Sequence, residues 1–369
     1  MRIRGRRRPV ALAGVALAAL VLVAASCSSG GGSGEASSTA SSGKPSGDLR
    51  LFSYGDGFDA SYIRSFKEEY PQVNLETSPF SSNDEAVAKM QAGFQADVIN
   101  SCVDESALEM DQKGIYTPLD LSRIPDWKYV FPAFQKLPGV TYNGKIYMIP
   151  VDAGTAGLLY NADVIKTPPD SWTDLFDPQY KGRAGLEDNS VTAMDVGALA
   201  TGISDPLNMT PDQLDSVKNY LIDHKDQFRD FWHSDAEVQN LFKSGEIDIS
   251  SGYPGNALRL QREGVNVKFV PAKEGQMLWT CGYGISPQAQ NVNAAYALLN
   301  WYLSPKAEMF EAKTWDYTIA NTRVLKVAPP AFVKKYGLAE PYHWSNAIPA
   351  SPPKDREAWT EAWAEVQAA

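Results

Sequence analysis

Between Leu49 and Asn100 the chain alternates strand-like and helix-like runs, and that order restricts the sheet it can build. Leu49 to Phe52 reads as a strand. Ile63, Phe66 and Tyr70 recur at i, i+3 and i+7, which is one helix face, and Pro71 closes that stretch. Val73 to Glu76 alternates as a second strand. Asn83 to Phe94 sets Val87, Met90 and Phe94 on one helical face, and Ala96 to Asn100 is a third strand. Parallel strands need crossover connections, commonly helices, so this repeat predicts an α/β fold with a parallel sheet. Ligands of such sheets collect at the carboxyl ends of the strands. The loops Tyr54-Gly55-Asp56-Gly57 and Ser101-Cys102-Val103-Asp104 are therefore the expected floor of a site.

The folded part begins late. Arg2, Arg4, Arg6, Arg7 and Arg8 precede an apolar run from Val10 to Ala25, the layout of a secretory signal peptide over residues 1–26. Val23-Ala24-Ala25-Ser26-Cys27 resembles a lipobox, which makes Cys27 the expected lipidated N-terminus. Residues 28–47 are almost all Ser, Gly, Ala and Thr. They cannot bury apolar area and read, with Cys27, as a flexible tether over 27–47. Residues 48–369 remain, a length that suits two domains.

Asn143-Gly144 marks a tight turn between Thr141 and the strand Ile146 to Ile149. Pro150 to Gly154 then leads into a new segment, Gly157 to Tyr160, as a crossing between lobes would. A second α/β region follows, with helices near Asp174–Phe176, Pro211–His224 and Asp235–Ser244. A strand over Ile247–Ser250 ends at Gly252-Tyr253-Pro254-Gly255-Asn256. Leu278–Ile285 is another strand, and Ala294–Leu303 and Lys306–Thr314 are helices.

Losing the five arginines of residues 1–26 takes the formal charge from −10 to −15. An acidic body disfavours nucleic acid and anionic lipid as ligands and suits a cationic one. The histidines, at 224, 233 and 343, are far apart, and after Cys27 only Cys102 and Cys281 remain. No metal spacing is present, and no metal or other cofactor is expected.

Several segments together resemble the spermidine/putrescine-binding proteins of ABC transporters, within the extracellular solute-binding protein family. They are Leu51-Phe52-Ser53-Tyr54, Lys89-Met90-Gln91-Ala92-Gly93 with Asp97-Val98, Tyr147-Met148-Ile149-Pro150 with Tyr160-Asn161, and Lys273-Glu274-Gly275 with Trp279. The most specific is Ser171-Trp172-Thr173-Asp174-Leu175-Phe176-Asp177-Pro178-Gln179-Tyr180-Lys181-Gly182. The resemblance implies a two-lobed periplasmic-binding-protein type II fold, each lobe a mixed sheet flanked by helices, with the ligand cleft between lobes. Residues 48–150 and 279–320 are assigned to the first lobe, and 151–278 and 321–369 to the second. Crossings are expected near Pro150, Leu278 and Asn321. The implied protein is extracytoplasmic and monomeric, is held to the membrane by its lipid, and hands a small organic cation to permease subunits.

A polyamine needs carboxylates for its ammonium groups, each charge-assisted bond adding about 1.5–3 kcal/mol. It also needs rings over its methylenes, a cation on a ring adding about 0.5–2 kcal/mol. Carried over from the resemblance, the candidate ligand-binding residues are Tyr54, Asp56, Ser101, Asp188, Tyr253, Trp279 and Tyr317. Glu187 and Asn189 flank Asp188 in the same acidic loop. Cys281 stands where the resembled proteins carry an amine-pairing Asp, and Asp152 at the crossing is its candidate replacement. Asp56 between glycines also suits a turn cap. A Cys102–Cys281 disulfide at the cleft edge is expected of an exported body.

Other ligands of the same fold remain open: thiamine, an amino-acid-like or phosphonate compound, or a sugar. A hydrolase is the rival from another class, but no G-x-S-x-G elbow, H-E-x-x-H or phosphate loop is present. No Tyr-Tyr pair occurs for a ferric-ion site.

Overall fold

The computed structural model describes residues 44–339 and 347–369. The signal peptide, Cys27 and most of the tether lie outside the described residues. The strands are β1 (Gly47–Ser53), β2 (Val73–Pro79), β3 (Val98–Cys102), β4 (Thr141–Tyr142), β5 (Lys145–Ile146), β6 (Met148–Asn161) and β7 (Ala184–Glu187). They continue with β8 (Phe228–Trp232), β9 (Ile249–Gly252), β10 (Val267–Val270), β11 (Gln276–Ile285), β12 (Thr318–Ile319) and β13 (Ala347–Ile348).

The main sheet runs β2-β1-β3-β11-β6-β9-β7-β8. β1 pairs in parallel with β2 and β3, and β7 pairs in parallel with β8 and β9. These two groups are the α/β units anticipated from hydrophobic spacing. β1 is apolar on both faces because both are covered: Leu49 and Leu51 enter one core and Phe52 another. β4 and β5 form the expected hairpin. Asn143 and Gly144 both take left-handed φ values, 48° and 73°, which the two-residue turn requires.

Two long antiparallel strands, β6 and β11, join the groups. Ile149 and Val151 of β6 pack with Leu51, Phe66 and Val98, whereas Leu158 and Tyr160 pack with Trp172, Leu186 and Val196. β11 runs back, with Met277 in the second core and Tyr283 in the first. The pairing register of β11 on β6 shifts between Cys281 and Gly282, leaving an irregularity beside Asp152.

The most specific of the resembling segments is a packing device. Trp172 is fully buried, and its indole donates to the Gly275 carbonyl (2.9 Å). Glu274 accepts from the Trp172 amide (3.1 Å) and from the Ser171 hydroxyl. Ser171–Gly182 and Lys273–Gly275 therefore meet in space, across about a hundred residues of chain.

One expected boundary moves. Residues from 321 onward were assigned to the second lobe, yet Val324, Ala328 and Leu338 pack with Ala312 and Ile319, beside Phe131 and Met309. The chain reaches the second core only later. β13 pairs with Gln276–Met277 of β11, and the helix Arg356–Ala368 then buries Trp359 and Trp363 there. The reason is apolar: Val324, Ala328 and Leu338 bury against one another and beside Phe131, which also packs on the first core.

Candidate functional site

A cleft of about 680 Å³ opens between the two cores, across β6 and β11. Tyr54, Asp56, Asp152, Asp188, Tyr253, Trp279, Cys281 and Tyr317 all line it. The rings form a chain. Trp279 meets Tyr317 edge-on at 4.8 Å and Tyr253 edge-on at 6.0 Å, and Tyr253 meets Trp232 at 6.4 Å. Tyr54 sits against Phe80 at 4.5 Å, and its hydroxyl accepts from Asn83 (2.8 Å). The Trp279 indole N–H is buried without a hydrogen-bond partner.

Ser101 lies elsewhere. It is fully buried and accepts from the Tyr116 hydroxyl (2.7 Å). Successive strand residues point to opposite faces, so with Cys102 in the cleft the residues that share its face are Asn100 and Cys102, not Ser101. Cys102 stands opposite Cys281 in the β3–β11 register, and a disulfide joins them, with the Cα atoms 3.9 Å apart.

Asp56 does both things its sequence context allows. It accepts from the Gly57 amide (2.8 Å), and its other oxygen accepts from the Tyr317 hydroxyl (3.2 Å) inside the cleft. Asp152 faces Cys281 in the β6–β11 register, and its Oδ1 is buried without a partner. Asp188 is engaged by the C-terminal helix: the Trp363 indole donates to it (2.6 Å), as does Gln367, and His233 lies 2.9 Å away. Its neighbour Glu187 turns toward the rings and accepts from the Tyr253 hydroxyl (2.7 Å).

Burial raises the carboxyl pKa values of Asp56, Asp104, Asp152, Glu187 and Glu311. Burial and then the charge of Asp56 hold Asp152 well above the usual range. Burial and then Asp235 raise Asp56. Burial, despite the Tyr253 bond, pushes Glu187 to about 8. Asp104 is raised by burial and by Glu105, and Glu311 by burial and by Asp152. Ten carboxylates line the cleft among the described residues, against Arg259 and His233 as its basic side chains. Both of those are already taken, Arg259 by Asp235 (3.2 Å) and His233 by Asp188. The site is an acidic, ring-lined recess whose own cations do not neutralise it, and its chemistry is that of a receptor for positive charge.

The model of the bacterial extracellular solute-binding protein family matches residues 61–341. The chain belongs to that family. It is 24% identical over 344 residues to the putrescine-binding periplasmic protein PotF of Escherichia coli, covering 86% of this chain and 91% of the relative. It is 24% identical over 287 residues to the spermidine/putrescine-binding periplasmic protein 1 of Haemophilus influenzae, covering 75% and 78%. The structure of the spermidine/putrescine ABC transporter substrate-binding protein PotD from Streptococcus pneumoniae superposes with a TM-score of 0.65, at 21% identity, covering 88% of this chain and 99% of the other. The fold of this solute-binding protein is the two-lobed periplasmic-binding-protein type II arrangement.

Several groups of this cleft stand outside the residues that the sequence points to. Glu105, Asp195, Asp235, Glu311 and Trp232 line it. Asp195 carried a legible signal, as a lone acid inside the otherwise uncharged run Ser190–Ala200. Glu311 carried none, since its helix also displays Lys306, Glu308 and Lys313 and resembles a solvated one.

Proposed function

We propose that this solute-binding protein captures a small organic cation, a polyamine such as putrescine or spermidine, and delivers it to the permease of an ABC importer. The observation that carries this reading is the surplus of buried carboxylates beside a row of aromatic rings, with Arg259 and His233 already paired. Asp56, Asp152 and Glu187 act as counter-ions. Tyr54, Tyr253, Trp279 and Tyr317 cover the methylenes and lend cation–π attraction. The PotF and PotD likenesses support the same ligand class. A ligand that touches both lobes shifts the population toward the closed form, which the permease recognises. The protein catalyses no reaction in this reading and acts as a monomer.

Calorimetry tests it. Putrescine or spermidine gives heats that diminish with added salt, as exchange of charged partners requires. Absence of heat with every amine, together with binding of a neutral or anionic compound, overturns the reading.

The anchor is proposed at Cys27, from the small residues before it and the Ser/Gly tether after it. Cys27→Ser releases the protein from the membrane fraction. Intact, unacylated wild type by mass spectrometry removes the anchor and leaves the cleft reading in place.

A further inference from the structure

The helix Ser190–Ala200 is buried along nearly its whole length and is uncharged except at one position. That position is Asp195, which is 2% exposed. It lies in the helix interior, too far from the first turn to cap it. Its Oδ1 has no hydrogen-bond partner, and no basic side chain pairs with it among the described residues. A buried carboxylate left in that state is costly, and an apolar residue of the same size avoids the cost.

The carboxylate nonetheless lines the cleft. It lies near Asp104, where its charge adds to the repulsion from Glu105. Asp104 accepts from the Thr280 amide (3.2 Å), and Glu105 from the side chain of Asn189 (2.9 Å), so both are held in place. Asp56, Asp152 and Glu311 form another mutually repelling group, with Glu311 also 3% exposed and one of its oxygens unpartnered. A ligand with a single charge neutralises one group and leaves the other unopposed.

We propose that Asp195 is a ligand-binding residue that joins Asp104 in receiving a second cationic centre, so that the cleft selects a dication over a monocation of the same length. The proposal rests on the cation-receptor reading above. It adds a residue and a charge requirement to that reading.

The test is calorimetry of wild type and Asp195→Asn with putrescine and with n-butylamine, which keeps four carbons and one charge. Wild type prefers putrescine by tenfold or more. Asp195→Asn weakens putrescine about tenfold and changes n-butylamine by less than about threefold, so the preference collapses. The ligand-free variant melts no lower than wild type, because burial already holds the Asp195 carboxyl toward its neutral form and Asn keeps its shape. Unchanged putrescine affinity, an equal loss for both amines, or a lower melting temperature overturns the assignment. Wild type that binds neither of these amines nor spermidine, and binds a neutral or anionic compound instead, overturns the cation reading itself, a result distinct from wild type that binds both with Asp195 irrelevant.

Discussion

Gly154 and Trp279 face each other across β6 and β11, and the indole occupies the space above the glycine. A Cβ on Gly154 would stand 2.5 Å from Cζ2 of the ring. The absent side chain lets the ring lie down between Tyr253 and Tyr317. Gly154→Val is expected to tilt the indole out of that row. Ligand affinity falls tenfold or more, stability falls by about 1–3 kcal/mol through overpacking, and the tryptophan emission response to ligand is lost. An unchanged affinity shows that the ring does not touch the ligand.

Glu187 gives a pH dependence with a definite sign. Its folded pKa of about 8 lies above the ordinary 4.5, so the folded state binds more protons between those values. Stability of the ligand-free protein therefore falls as pH rises through that window. Asp56 and Asp152 are shifted in the same direction. Affinity for a permanently charged diamine moves the other way, rising with pH as the carboxyls ionise, with protons released on binding. Melting curves from pH 4.5 to 8 on wild type and Glu187→Gln check this. A slope identical in the two proteins would sink the assignment to Glu187.

Arg356 ties the C-terminal helix to the first lobe. Its guanidinium bonds Glu109 (2.8 Å) and Asp84, while Trp359 and Trp363 of the same helix sit in the second core. Arg356→Ala leaves two partly buried carboxylates without their partner and costs about 1–3 kcal/mol. The ligand-free protein should also open, read as a larger radius of gyration by small-angle scattering. A variant with wild-type scattering and stability shows that the tie carries no weight.

The Cys102–Cys281 bridge closes 179 residues of sequence. Its loss should destabilise the fold by up to about 5 kcal/mol on the chain-entropy account. Melting with and without reductant, and of Cys102→Ser/Cys281→Ser, measures it. Two thiols that label without reduction in the native protein contradict the bridge.

The acidic loop 187–189 shows how far spacing alone could reach. Its place after a strand was legible, but which acid faced the rings was not. Glu187 meets Tyr253, 66 residues away, and Asp188 meets Trp363, 175 residues away. Ser101 was misplaced for a more local reason. The strand alternation that sets Asn100 and Cys102 on the cleft face puts Ser101 on the other, and that period was present in the sequence itself.

The amino-acid sequence by itself determined the α/β repeat, the loops Tyr54–Gly57 and Ser101–Asp104, the hairpin at Asn143-Gly144 and the surplus of acid. Each of these follows from local periodicity, turn chemistry or composition. Only the tertiary structure decided which acids became a site. Asp56, Asp104, Asp152, Asp195 and Glu311 come from five separate stretches, and their shared burial raises every one of their pKa values. Desolvation and mutual repulsion depend on distance and burial, which exist only once β6 and β11 have brought the two cores face to face.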